Sequence, residues 1–336
     1  MLVDCEEILK ATTPQELFGS VPKRANIVYR RLARQSHPDM FLDPQEKQLA
    51  GKAFAHLCDL WEAYNNGSTT TKKAPLNTIK TKRHNYSIQE RVSAEGVFVR
   101  HAATYDDGHE KATLLFLKNP AEADLGQTHA TRIKELQEKV PEMFRYFYPE
   151  HVETFRHQDD KRVERLVVAQ KVPEGFVPAT KILEVYPNGI HGRDIAWIFK
   201  RMLVAVGNAH DQNIVHGAPT LAAFLIHPEH HGIILDRWEY SVDKGKKMVS
   251  LPLEKKDIYP SYVFDGKTVD HSLDINILAD TITSLLQDNA PVQFKAFFKA
   301  CKMQNTLSAA RLLTEFGILL ERLYGEPKFH PFTLEP

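Results

Sequence analysis

The sequence predicts an α+β protein of two unequal parts: a small all-helical unit, then a larger domain in which strands precede helices. Three observations predict it. Two amphipathic stretches with helical spacing lie between Val21 and Asn66, a polar stretch without periodicity follows, and from Tyr86 onward period-two alternation gives way to long helical periodicity. The boundaries read from these signals are 1–66 for the helical unit, 67–85 for a linker and 86–336 for the second domain.

Composition narrows the class. The chain has 336 residues, 43% of them apolar, which is ordinary for a folded protein with a sizeable core. Lys plus Arg equal Asp plus Glu at 43 each, so no whole-chain field draws it to nucleic acid or an anionic membrane. Cys5, Cys58 and Cys301 are far apart and odd in number, which argues against a disulfide framework or zinc site and for a reducing, cytoplasmic compartment. The acidic start "MLVDCEEILK" reads as no signal peptide, and no apolar run is long enough to span a membrane.

In the first unit, "KRANIVYRRLARQS" places Ile27, Tyr29, Leu32 and Ala33 near one helix face and Arg30, Arg31 and Arg34 near another. A second helix follows from Asp43 as N-cap and Pro44 at the first helical position, with Leu49, Phe54, Leu57, Trp61 and Tyr64 as its apolar positions. The two are expected to pack antiparallel. Pro38 disfavours helical geometry at His37, so His37, Pro38 and Asp39 fall in a turn at the hairpin tip. A basic helix, then "HPD", then a helix carrying "WEAY" resembles the J domain of DnaJ-type co-chaperones. The resemblance implies docking on a DnaK-type chaperone through Arg30, Arg31 and Arg34, with His37, Pro38 and Asp39 triggering ATP hydrolysis in that partner. For the first helix there are two candidates, "CEEILKA" and "QELFGSV".

The stretch "NNGSTTTKKAPLNTIKTKRHN" lacks the apolar residues needed to offset ordering entropy and reads as a linker of modest basic character. Beyond it, "YSIQERVSAEGVFVRHA", "KATLLFLKN" and "ERLVVAQKV" read as strands, and "HATRIKELQEKV" and "RDIAWIFKRMLVAVGNAH" as helices. Ile195, Ile198, Met202, Leu203 and Val206 share one face of the long helix. Then come "NIVHGAPTLAAFLI", the turn "HPEHHG" and the strand "IILDRW".

This order resembles the protein-kinase fold, a small strand-rich lobe with one helix followed by a helical lobe, over Tyr86 to Tyr324. Kinase catalytic loops read H-x-D-x-x-x-x-N, the Asp acting on the acceptor hydroxyl and the Asn holding magnesium. With His216 at the histidine, Ala218 stands at the Asp position and Ala223 at the Asn position. Loss of a positioned base costs about 100- to 10,000-fold in rate. The resemblance therefore implies a pseudokinase, without ordinary phosphotransfer. It further implies that Asp236, in "ILDRW", is the magnesium-site aspartate, that Lys118 holds phosphates with Glu135 as its ion-pair partner, and that Gly96 lies in a degenerate glycine-rich loop. "IYPSYVF" resembles the A-P-E segment, and Asp274 the aspartate that ties the catalytic loop to a buried helix.

Two decoys remain. "HGRD", His191 to Asp194, precedes a helix rather than following one, so Asp194 is read as helping to begin it. His227, His230 and His231 sit in a turn without cysteine support and read as solvated rather than metal-binding. The functional expectation is a co-chaperone or adaptor that brings a DnaK-type chaperone to a protein client held by the kinase-like domain. No cofactor is certain, ATP with magnesium being a candidate. The alternative is an atypical kinase or nucleotide transferase using Lys118, Glu135 and Asp236.

Overall fold

The computed structural model describes residues 2–19, 22–37, 41, 43–67, 78–94, 96–159, 162–288, 290–303 and 308–334. They form two compact units, Met1–Asn77 and Thr78–Pro336.

The first unit has four helices: α1 (Leu2–Lys10), α2 (Pro14–Phe18), α3 (Pro22–Gln35) and α4 (Pro44–Gly67). Both candidates for the first helix are thus helical. The break between them falls at Thr12 and Thr13, where the Glu16 carboxylate accepts from the Thr12 N–H at 2.8 Å and Pro14 opens the next helix. Asp43 caps α4 as expected, its Oδ1 accepting from the Glu46 N–H at 3.0 Å.

The core of this unit gathers Cys5, Ile8, Phe18, Ala25, Leu32, Leu57 and Tyr64. Tyr29 stacks on Trp61 at 4.4 Å, while the His37 ring stands edge-on 5.2 Å from Phe54. Residues later in α3 therefore meet residues earlier in α4, which makes the pair antiparallel. Ile27 is a correction: it is 71% exposed, because the buried stripe runs Ala25, Val28, Tyr29, Leu32 and Ile27 is out of phase with it.

The second unit begins earlier than expected. Thr78–Lys80 forms β1 and pairs with β2 (Asn85–Ser93), so residues 78–85 belong to the sheet rather than to a linker; positions 68–77 lie outside the described residues. With β3 (Phe98–Tyr105), β4 (Glu110–Leu117), β5 (Glu150–Gln158) and β6 (Glu164–Lys171) they make an antiparallel sheet in the order β1-β2-β3-β4-β6-β5. Helix α5 (Ala123–Lys139) connects β4 to β5.

The sheet curls until its two edges approach. Thr81 Oγ1, in the β1–β2 turn, donates to Glu153 Oε1 on β5 at 2.7 Å, and Tyr86 stacks on Phe155 at 5.8 Å. One face packs Phe98, Leu115, Leu117 and Val168 toward α5 and the large lobe, while the other buries Tyr86, Tyr105, Leu114, Val167 and Ala169 in a core of its own. This two-sided burial follows from the alternation of side chains along each strand.

The large lobe is built on α7 (Gly192–Asp211), preceded by β7 (Val177–Pro178) and α6 (Lys181–Val185). Ile195, Ile198, Met202, Leu203 and Val206 of α7 are all buried, as the periodicity predicts. There follow β8 (Ile214–Val215), the β9 (Phe224–His227) and β10 (Gly232–Leu235) hairpin, β11 (Val242–Asp243), α8 (Ser261–Phe264), α9 (His271–Thr283), α10 (Val292–Met303) and α11 (Ala309–Tyr324). Phe199 of α7 meets Phe298 and Phe316 edge-on, each at 5.0 Å, which locks α10 and α11 to it. Among the described residues no helix is long and apolar enough to cross a membrane.

Candidate functional site: a cleft with an emptied catalytic loop

The loop between β8 and β9 is organised by one carboxylate. Asp274, fully buried near the start of α9, accepts from the backbone N–H of His216 through Oδ2 and of Gly217 through Oδ1, both at 2.8 Å. His210 Nε2 reaches the same Oδ2 at 2.9 Å. Burial alone would raise the Asp274 carboxyl, but His210, His216 and the backbone N–H hold it below its ordinary value.

The His216 ring is equally committed. Its Nε2 donates to the Asp236 carbonyl at 2.8 Å and its Nδ1 accepts from the Ala218 N–H at 3.2 Å, a neutral ring that burial keeps below its usual pKa. Gly217 is left-handed (φ +81°), and a Cβ there would stand 2.7 Å from the Tyr240 carbonyl. Tyr259 OH donates to the Gly217 carbonyl at 2.8 Å. Apart from the His210–Asp274 pair, these contacts all engage backbone, and at the two reactive positions the side chains are the buried methyl groups of Ala218 and Ala223.

Across the cleft lies a second arrangement, made of charges. Asp236 is 4% exposed, and its Oδ2 accepts from Gln170 Nε2 at 3.2 Å and faces Arg100 Nη2 at 3.5 Å. His129, on the cleft side of α5, has Nε2 2.9 Å from Gln170 Oε1 and Nδ1 3.1 Å from the Trp238 N–H. Glu239 Oε2 lies 3.5 Å from His129 Nδ1. Burial disfavours charge on His129, yet Glu239 and Asp236 outweigh it and raise its pKa. Burial also works against the Glu239 carboxylate, but His129, Arg100 and Arg237 hold its pKa down at about 2.

Matching structures share this architecture. A structure of vaccinia related kinase 3 matches 78% of this chain and 95% of that chain, with a TM-score of 0.58 and 13% identity. The BubR1 kinase domain matches over 79% and 91%, at 0.55 and 12%. ROP2 from Toxoplasma gondii, described as a virulence factor with a protein-kinase fold and no enzymatic activity, matches over 74% and 86%, at 0.56 and 9%. The fold is protein-kinase-like. No family model and no curated protein sequence matches the chain.

In this kinase-like domain a magnesium nucleotide does not fit the residues present. Arg100 and Gln170 already engage Asp236, Ala223 offers no ligand atom, and among the described residues no group of His, Cys, Asp and Glu is arranged to hold a metal. Gly96 is left-handed (φ +62°), and a Cβ built on it would meet Arg237 Nη2 at 3.0 Å and Glu239 Oε1 at 3.6 Å. The Arg237 guanidinium thus fills the space beneath the glycine turn that a phosphate chain would need. What remains open is a cavity of about 460 Å³ lined by Thr113, Gln170, Phe176, Lys181 and Asp236.

Two of the predicted site residues are corrected. Lys118 lies beyond the end of β4 and donates to the Ala94 carbonyl at 2.6 Å. Glu135 pairs with Arg132 and Lys139 on its own helix, at 2.6 and 2.5 Å, so the expected Lys118–Glu135 pair is absent. Strand alternation puts apolar Leu115, not Lys118, on the cleft-facing row with Thr113. The cationic partner of Asp236 comes instead from the neighbouring strand, as Arg100.

Sequence reasoning missed Arg100, His129, Gln170 and Glu239. Two of them left a signal. His129 interrupts the apolar stripe Leu125, Ile133, Leu136 of α5 in phase, and Arg100 falls two residues after buried Phe98 on β3. A charged or polar residue in phase with a buried row needs a partner inside.

The remaining candidates separate cleanly. Arg30, Arg31, Arg34 and His37 are exposed, and Pro38 and Asp39 lie outside the described residues. Asp194 lies in the first turn of α7, as expected, and bonds His330 Nδ1 at 2.7 Å, while His191 is the cap, its Nδ1 accepting from the Arg193 N–H at 3.2 Å. His231 is half-buried, stacked on Trp197 at 4.1 Å.

Proposed function

We propose that the chain is an adaptor whose kinase-like domain binds a protein client without phosphotransfer, and whose helical unit engages a DnaK-type chaperone as a J-domain-like co-chaperone. The observation that carries the silent-kinase half is the ion pair between Arg100 and Asp236, which neutralises the one surviving metal-site carboxylate beside two alanines. A basic exposed face on α3, exposed His37 just beyond its end, and the antiparallel α3–α4 pair support the chaperone half.

The chaperone half is tested by single-turnover ATP hydrolysis of a DnaK-type chaperone, with the full chain and its His37→Gln variant. Stimulation lost in the variant is expected, and equal rates with and without the chain would sink it. The kinase half is tested by melting. A ligand that binds only the folded state raises thermal stability, so the melting temperature is expected to stay the same with saturating magnesium and ATP. The alternative reading, an atypical kinase, shares the fold but loses Lys118 and Glu135 to other partners; magnesium-dependent transfer of labelled phosphate, abolished in Asp236→Ala, would restore it.

A further inference from the structure

A second cavity of the kinase-like domain lies away from the cleft. A groove of about 1120 Å³ runs behind α5, floored by β5 from Glu150 to Arg156 and walled by the β1–β2 turn and by α5 at Gln127, Thr131 and Lys134. It has two properties that point to one kind of occupant.

The first is an open backbone. β5 is the terminal strand of the sheet and pairs with β6 alone among the described residues. Its other edge offers a row of N–H and C=O groups to a further strand. The approach of Thr81 to Glu153 is through side chains and leaves that row unpaired with β1.

The second is charge. Lys80 at the end of β1, Lys82 and Arg83 in the turn, and Lys134 across the groove are exposed, and the first three make no ion pair among the described residues. Two of the three acids that line it, Glu153 and Glu138, are answered. Glu153 accepts from Thr81, and Glu138 stands 4.0 Å from Lys134. Arg156 is itself paired with Glu164 at 3.0 Å. His151, on the floor, adds no positive charge, since burial, Lys134 and Arg83 hold its pKa below the usual value.

We propose that this groove binds an extended acidic peptide segment of the client, laid along β5 as an added strand with its carboxylates toward Lys80, Lys82, Arg83 and Lys134. Main-chain pairing to an edge strand supplies affinity and the flanking cations supply selectivity. A strand of nucleic acid suits the groove less well, because it has no backbone N–H and C=O row to pair with a strand edge, and Phe155, a ring on which a base could stack, is already stacked on Tyr86. The chain's own residues 68–77 suit it no better, since they carry Lys72 and Lys73 and no acid. Calling the peptide's owner a client rests on the adaptor reading above; the binding itself does not.

The test is fluorescence anisotropy of a labelled peptide alternating glutamate with valine, titrated with the full chain. Saturable binding is expected, weakening as salt rises and absent for a peptide with lysine in place of glutamate. In the double variant Lys82→Glu, Arg83→Glu the affinity is expected to fall ~10-fold or more, equivalent to about 1.4 kcal/mol. Lys134→Glu, on the opposite wall, is expected to weaken binding in the same direction and guards against a misfolded turn in the first variant. Equal affinity in all three proteins, or full displacement by an oligothymidine strand, would overturn the proposal. No chaperone is present in this assay, so its failure leaves the hydrolysis result standing, and a failed hydrolysis result leaves peptide binding standing.

Discussion

The loop from His216 to Ala223 and the cluster around Asp236 border the same cleft, yet they are held in opposite ways. The loop is tied by complementary bonds: Asp274 takes two backbone N–H groups, and His216 spends both ring nitrogens on backbone. The cluster is held by charge balance, with Asp236 Oδ1, both Glu239 carboxylate oxygens and Arg100 Nη2 buried without a hydrogen bond. Directional bonds hold the first arrangement to one geometry, whereas the second needs only to sum near neutrality.

Substitutions can break or sharpen that contrast. Asp274→Ala should be the most damaging, since it strands two buried N–H groups and His210; a loss of about 3–5 kcal/mol is expected in chemical denaturation. A loss comparable with that of a surface variant would mean that the loop is held by packing alone. Arg100→Ala should cost less, about 2 kcal/mol, because Gln170 and His129 still face Asp236. It should also open the Asp236 carboxylate to a metal, so magnesium is expected to raise the melting temperature of this variant and not of the parent.

The pH response tests a third site. His271 stacks on His210 at 4.1 Å, and burial, His210 and Lys244 push its pKa down to about 4. The folded state therefore resists a proton that the unfolded chain accepts near pH 6.5, so stability should decline as pH falls from that value toward 4 and level off below. His271→Phe should flatten this decline in melting curves taken across that window; an unchanged slope would assign the acid sensitivity elsewhere. The smallest effect is expected from restoring the missing side chains. Ala218→Asp with Ala223→Asn should produce no transfer of labelled phosphate, because Arg100 still pairs with Asp236 and Arg237 still lies under Gly96. Measurable transfer in that variant would show the cluster to be no barrier.

The large lobe was legible in the sequence because its helices carry long apolar stripes, as in α7, and because His216, Asp236 and Asp274 keep recognisable spacing. Edge elements were not. β1 and β5 are rich in charged and polar residues, since an edge strand with one wet side has little apolar pattern to display, and "TIKTKRHN" therefore reads as linker. Lys118 was misjudged by one step of alternation, which on a strand moves a side chain to the other face. The relocated cation, Arg100, could not be inferred from loop spacing, because it lies on a strand adjacent in space to the expected one.

The grip of Asp274 on the loop has a kinetic side. The amide hydrogens of His216 and Gly217 are sealed by a buried carboxylate, so they can trade with solvent deuterium only when α9 parts from the loop. Their exchange should rank among the slowest in the chain and should report opening of the whole lobe, giving a clock for its unfolding.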